Sequence, residues 1–146
     1  LDETMYEKIE KRELLTLGNN YLLIELSLVS KLYNFSDLAY KLQVAGYNII
    51  LAHPERYAYY DEKNFESYYL LKDRGIFLQI NLMSLIGRYG KKAKYIAEKM
   101  IDENIVDFVG TDLHGIRHIP AIKQCLQEKH IQKIITSDKL LNKTLL

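Results

Sequence analysis

Tryptophan is absent from the 146 residues, and cysteine occurs once, at Cys125. A lone cysteine excludes an internal disulfide, and a reducing, cytoplasmic setting is the expectation that follows. Proline is limited to Pro54 and Pro120, neither in a linker-like run, so residues 1–146 read as a single domain. No apolar run approaches the roughly 18 residues that a membrane helix needs, so no membrane insertion is expected. The charged opening stretch does not resemble a signal peptide. Charge of one sign is also missing: Lys plus Arg number 20 and Asp plus Glu 19. With no basic block, a dedicated nucleic-acid or membrane-surface binder is disfavoured.

Against these absences, hydrophobic residues make up 48% and charged residues 27%, the balance of a globular domain with a real core. Twelve tyrosines are present, five of them close together at Tyr57, Tyr59, Tyr60, Tyr68 and Tyr69. The plain reading is solvated loop or interface aromatics. The functional alternative is a rim beside a binding site.

Four apolar runs read as strands: Tyr21–Leu26, Asn48–Ala52, Ile76–Ile80 and Asp107–Gly110. Helical patterns separate them. Ser36 is the expected N-cap of a helix carrying Leu38, Leu42 and Ala45 on one face and stopped by Gly46. A second spans Phe65 to Arg74 before Gly75. A third runs from Lys91 to Glu103 with Ala93, Ile96, Ala97, Met100 and Ile101 as its apolar stripe. Ile119–Lys129 and a short piece after Ser137 complete the set. Strand then helix at this spacing predicts parallel strands with crossover helices, an α/β fold. The run Asn48-Ile49-Ile50-Leu51-Ala52 does not alternate, as suits a strand buried on both faces. An open doubly wound sheet and part of a larger barrel both fit. Met5–Leu15 reads as a helix, followed by a turn at Leu17-Gly18-Asn19-Asn20, so the chain opens on what looks like the helix after a strand.

Ligands in parallel α/β folds bind at the carboxyl ends of strands. There the sequence places His53-Pro54-Glu55-Arg56-Tyr57, Thr111-Asp112-Leu113-His114, Glu25 and Asn81. Asp112 and His114, two apart in an extended segment, point the same way, and His53 comes from another strand end. One carboxylate and two imidazoles suit Mn, Fe or Zn rather than Ca or Mg. Three ligands with open positions describe a catalytic metal that activates water. The fork of Arg56 matches phosphate oxygens, so the set fits a phosphate-ester hydrolase. The structural readings stand beside this: Arg56 pairing with Glu55 or Asp61, Asn81 as a backbone cap, Glu25 as a paired core-edge carboxylate, His118 at the surface and His130 at a helix end.

At these residues the sequence resembles the bacterial capsule-type tyrosine phosphatases of the polymerase and histidinol phosphatase superfamily. The resemblance is carried by Leu51-Ala52-His53-Pro54-Glu55-Arg56-Tyr57 and Val109-Gly110-Thr111-Asp112-Leu113-His114. Tyr21-Leu22-Leu23-Ile24-Glu25-Leu26-Ser27 and Leu78-Gln79-Ile80-Asn81 support it. It implies parallel βα units forming part of a distorted TIM-like (β/α)7 barrel with a metal cluster, manganese foremost and Fe, Zn or Mg as alternatives. It implies hydrolysis of phosphotyrosine on a protein partner, typically the tail of a tyrosine autokinase that controls polysaccharide export. His53, Asp112 and His114 take the place of metal ligands, Arg56 of the catalytic, phosphate-contacting arginine, and Arg117 of a second substrate-binding arginine. The family's opening His-x-His strand has no counterpart here. The expectation is therefore the C-terminal part of such a barrel, inactive alone, with exposed apolar surface where the other part would pack and a tendency to associate with another copy.

Three rivals were set against this. A cysteine-based phosphatase needs an arginine six positions after its cysteine, where Cys125 has Ile131, so Cys125 reads as a buried apolar residue. A phosphoesterase of the same superfamily acting on a small phosphate ester is the second. A non-catalytic partner-binding domain is the third.

Overall fold

A computed structural model of the chain describes residues 8, 9, 11, 13–60 and 65–145. Four strands, β1 (Tyr21–Ile24), β2 (Asn48–Ala52), β3 (Phe77–Asn81) and β4 (Phe108–Gly110), form one sheet in chain order. All three pairings are parallel: Ile24 stands opposite Leu51, Leu51 opposite Leu78 and Ile80 opposite Val109. A doubly wound sheet reverses its strand order at a switch point. This one does not, so it has the sequential topology of a barrel wall.

Helices fill the crossovers: α1 (Phe35–Val44), α2 (Glu66–Asp73), then α3 (Leu82–Leu85) and α4 (Lys91–Asp102), with α5 (Ile119–Cys125) and α6 (Lys129–Ile135) after β4. Leu22, Ile24, Ile49, Leu51, Leu78 and Ile80 pack with Leu38, Leu42, Ile96 and Met100 in the main core. Tyr21, Ile50 and Phe108 form a second cluster with Phe77, Leu141 and Leu145. Alternate strand residues thus enter different cores, as the non-alternating runs predicted. Each such aliphatic side chain removed from water contributes roughly 2 kcal/mol.

Several boundaries differ from the sequence expectation. Strand β1 stops at Ile24 because the Leu26 N–H donates to the Tyr57 hydroxyl (2.9 Å), which turns the chain out of the ladder. Helix α1 starts at Phe35, with Asn34 at the cap position. Ser36 lies inside the helix, and its hydroxyl accepts from Arg74. The single helix expected at Ile119–Lys129 is two, because Glu128 is extended and starts α6. His130 therefore sits in the first turn of that helix. After Ser137 comes a 3-10 turn, Asn142–Leu145. Helix α3 was not foreseen. Of the predicted helix Met5–Leu15, residues 5–7, 10 and 12 lie outside the described residues; Lys8 and Ile9 are helical, whereas Glu13, Leu14 and Leu15 are not.

The expected turn before β1 is present: Leu17 and Tyr21 exchange backbone hydrogen bonds of 2.8 and 3.0 Å. Gly18 has φ +42°, and a Cβ there would stand 2.5 Å from the Thr144 carbonyl, so glycine is required. The other edge of the sheet is covered by the C-terminal segment. The Asn142 amide brackets Val109, accepting from its N–H (3.0 Å) and donating to its carbonyl (2.8 Å). Among the described residues, no helix is long and apolar enough to cross a membrane.

Candidate metal and phosphate site

The polar strand ends gather at the carboxyl edge of the sheet. Leu51 and Ala52 bury β2, and the chain then breaks sharply. His53 adopts φ 33°, ψ 54° before Pro54, and a 3-10 turn (Pro54–Arg56) follows. A left-handed residue that is not glycine, placed before proline, is strained, and strain of this kind gathers at functional sites. Asp112, beyond β4, is left-handed too, with φ 49°.

The tyrosine cluster holds this turn from below. Tyr57 and Tyr68 are fully buried and Tyr60 is 7% exposed. The Tyr57 hydroxyl donates to the Ala52 carbonyl (2.8 Å) while accepting from Leu26, which ties the ends of β1 and β2 together. Tyr57 stacks on Tyr59 at 5.4 Å. These aromatics were expected in solvated loops or interfaces. Instead, most of them are the packing under the His53 turn.

His53 itself is buried, with Nε2 3.4 Å from Oε1 of Glu25 and Nδ1 left without a hydrogen-bond partner. Burial, then the charge of Arg56, holds its pKa below the usual value, so the imidazole is neutral. Glu25 is solvent-exposed and follows the last residue of β1. The sequence offers Glu25 as a paired core-edge carboxylate, and its partner in the structure is His53.

Asp112 is the second centre. Its Oδ2 accepts from Arg56 Nη1 (3.0 Å) and from Asn81 Nδ2 (3.2 Å). Its Oδ1 lies 3.3 Å from His114 Nδ1, which also meets the Asp112 carbonyl at 2.8 Å. An Nδ1–H donated to that carbonyl leaves Nε2 of His114 as a free lone pair. Arg56 therefore pairs with Asp112 and not with Glu55; Asp61 lies outside the described residues. The guanidinium also covers the Tyr89 ring, 4.1 Å from its centroid. Asn81 caps α3 as expected, its Oδ1 accepting from the Met83 N–H at 3.0 Å.

Glu55 is the residue whose part was least visible beforehand. It is 1% exposed. Its Oε1 accepts from the Asn81 N–H (3.0 Å) and the Ser84 hydroxyl (2.6 Å), while Oε2 is buried without a partner. Burial raises its pKa to about 7 against the opposing effect of those two hydrogen bonds. It pins the tip of β3, and so the Asn81 amide that holds Asp112.

His53, Asp112 and His114 thus share one edge of the sheet, but β3 stands between the first and the others, roughly 10 Å at the strand spacing. Among the described residues, no group of three or more His, Cys, Asp or Glu is placed to hold a metal ion. What is present is two pairs, Glu25 with His53 and Asp112 with His114, each a carboxylate beside an imidazole. Neutral imidazole, carboxylate and an orphaned buried ring nitrogen fit a divalent transition metal. Arg117 is exposed on a 3-10 turn (Ile116–His118), where its charge acts on His118. Cys125 is fully buried at the end of α5, and burial pushes its thiol pKa up.

Comparison with known proteins places the chain in a family. The family model described as "Capsular polysaccharide synthesis, CpsB/CapC" matches residues 1–143. CapC of Staphylococcus aureus is 31% identical over 134 residues, covering 90% of this chain and 52% of CapC. The tyrosine-protein phosphatase YwqE of Bacillus subtilis is 33% identical over 112 residues, 76% of this chain and 44% of YwqE. The chain thus spans about half the length of these relatives. A structure from work on YwqE and on CpsB of Streptococcus pneumoniae, described as metal-dependent tyrosine phosphatases, superposes with TM-score 0.75 and 26% identity. The match covers all of this chain and 62% of that one.

Proposed function

The chain belongs to the CpsB/CapC family of capsular polysaccharide synthesis, and from that premise we propose that it is the C-terminal part of a metal-dependent protein-tyrosine phosphatase. The observation that carries the proposal is the Arg56–Asp112–Asn81 cluster lying beside the Glu25–His53 pair at one sheet edge.

In this reading Glu25, His53, Asp112 and His114 are the chain's metal ligands, with manganese the preferred ion. When bound, the cation activates water and takes up negative charge. The remaining work falls to the protein. Arg56, held flat by Tyr89 and oriented by Asp112, presents its fork to the non-bridging oxygens of a phosphate monoester, where charge builds as the ester bond breaks. Asn81 keeps Asp112 in place. Arg117 at the rim is a second contact for the phosphate-bearing substrate. A phosphotyrosine on a protein, the tail of a tyrosine autokinase foremost, is the proposed substrate, in the cytoplasm, with association between copies through exposed apolar surface.

Two ligand pairs are fewer than a metal cluster needs, so these 146 residues are proposed to be inactive alone, the rest of the ligands being supplied by the family's His-x-His strand. The test is metal content and turnover in a form that carries such a strand. His53→Ala and Asp112→Ala should each lose bound metal and at least ~100-fold in kcat, with unchanged circular dichroism. Normal turnover in both variants would reject the assignment.

A further inference from the structure

A groove leads away from the Glu25–His53 pair, outside the cluster just described. A cleft of about 410 Å³ is lined by Glu25, Ser27 and Ser30 on the segment after β1. It shares Leu26, Lys31 and Leu32 with a second cleft of about 250 Å³ that reaches α2. The two clefts therefore adjoin one another along these three residues. The floor of the second cleft is apolar, from Phe35 and Leu71, and its lip carries Tyr33, which is 96% exposed. Among the described residues, its charged lining side chains are Lys31 and Arg74. Arg74 is anchored across the helices: its guanidinium donates to Ser36, and its carbonyl accepts from Gln43 Nε2 at 2.7 Å. The cleft wall also rests on Tyr59 and Tyr60, the aromatics beneath the His53 turn.

The second cleft, with an apolar, tyrosine-edged body and Lys31 and Arg74 as the charges of its described lining, suits an extended peptide with acidic residues. We propose that it is the docking site for the acidic flank of the substrate polypeptide. An Asp or Glu a few residues from the phosphotyrosine pairs with Lys31 and Arg74, and an apolar or aromatic neighbour lies against Leu32, Tyr33 and Leu70. The inference rests on the phosphatase reading, because it takes the Glu25–His53 end of the groove as the end nearest the reacting phosphate. It adds to that reading a substrate preference: acidic flanks over neutral ones.

The test is fluorescence-polarisation binding of two labelled, unphosphorylated tyrosine peptides, one with Glu flanking the tyrosine and one with Gln in its place. The Glu peptide should bind roughly fivefold or more tightly, the effect of one to two exposed ion pairs. Lys31→Glu should abolish the difference, and Arg74→Gln should reduce it, with thermal melts confirming that both variants fold. Equal affinity for the two peptides in the unaltered protein, or a preference that survives Lys31→Glu in the folded variant, would overturn the proposal. A Glu preference without hydrolysis of the phosphorylated peptide by a metal-loaded form that carries a His-x-His strand would defeat the phosphatase reading and leave the acidic-peptide groove standing.

Discussion

Arg56 and Asp112, 56 positions apart in sequence, meet at 3.0 Å across the tip of the intervening strand. Asp112 holds one terminal nitrogen of the arginine, and its guanidinium lies over the Tyr89 ring.

That arrangement depends on a planar fork. Lysine at this position would keep the charge and lose both the stacking and the two-point contact. In a form that carries a His-x-His strand, Arg56→Lys should therefore lower kcat/KM on a phosphotyrosine peptide roughly 100-fold, with a thermal midpoint close to that of the unaltered protein. Activity within threefold would show that charge alone suffices.

Glu55 makes a prediction about pH. Burial raises its folded-state pKa to about 7, above the unfolded value of 4.5. The folded chain then holds a proton that the unfolded chain releases, so this group's stability contribution is complete below about pH 4.5 and is lost as pH rises towards 7. Glu55→Gln keeps an acceptor for Asn81 and Ser84 and cannot titrate. Urea melts with chelator present should show unaltered protein losing on the order of 3 kcal/mol relative to Glu55→Gln between those pH values. Parallel curves would contradict the assignment.

Much of the fold was legible. The four strands and the helix of Lys91–Asp102 announce themselves through apolar periodicity, and each strand-end motif is visible because function concentrates polar residues where a buried run stops. Which of those residues meet was not legible, since it follows from strand order. Sequence spacing alone allowed His53, Asp112 and His114 to converge, whereas the sheet puts β3 between them. The role of Glu25 was hidden for the same reason: nothing local to Ile24-Glu25-Leu26 points to His53. Tyr57 was misread because a hydroxyl-bearing aromatic near a loop looks solvated, until Leu26 and Ala52 supply its two buried hydrogen bonds. Split helices α5 and α6 and short α3 escaped because runs of seven residues or fewer carry little periodicity.

Cys125 offers a simple check on the chemistry. It is fully buried, and burial pushes its thiol pKa up, which leaves little thiolate at neutral pH. A thiol reagent should label it slowly in native protein and fast in denaturant, and Cys125→Ala should leave phosphatase turnover unchanged in a form that carries a His-x-His strand. Loss of turnover with the fold intact would revive a cysteine mechanism.

Asn142 closes the free edge of β4 by serving both backbone groups of Val109. Asn142→Ala leaves that N–H and carbonyl without partners, a cost of about 1–3 kcal/mol, and exposes a strand edge prone to pairing. The variant should melt at lower temperature and aggregate faster. An unchanged melting temperature would mean that water replaces the amide without loss.

The most direct measurement is phosphate release from a phosphotyrosine peptide by a form of the protein that carries a His-x-His strand, assayed untreated, after chelation and after manganese is restored. Release that disappears with chelator and returns with the metal is the predicted result. Undiminished release from fully metal-depleted protein would contradict the account.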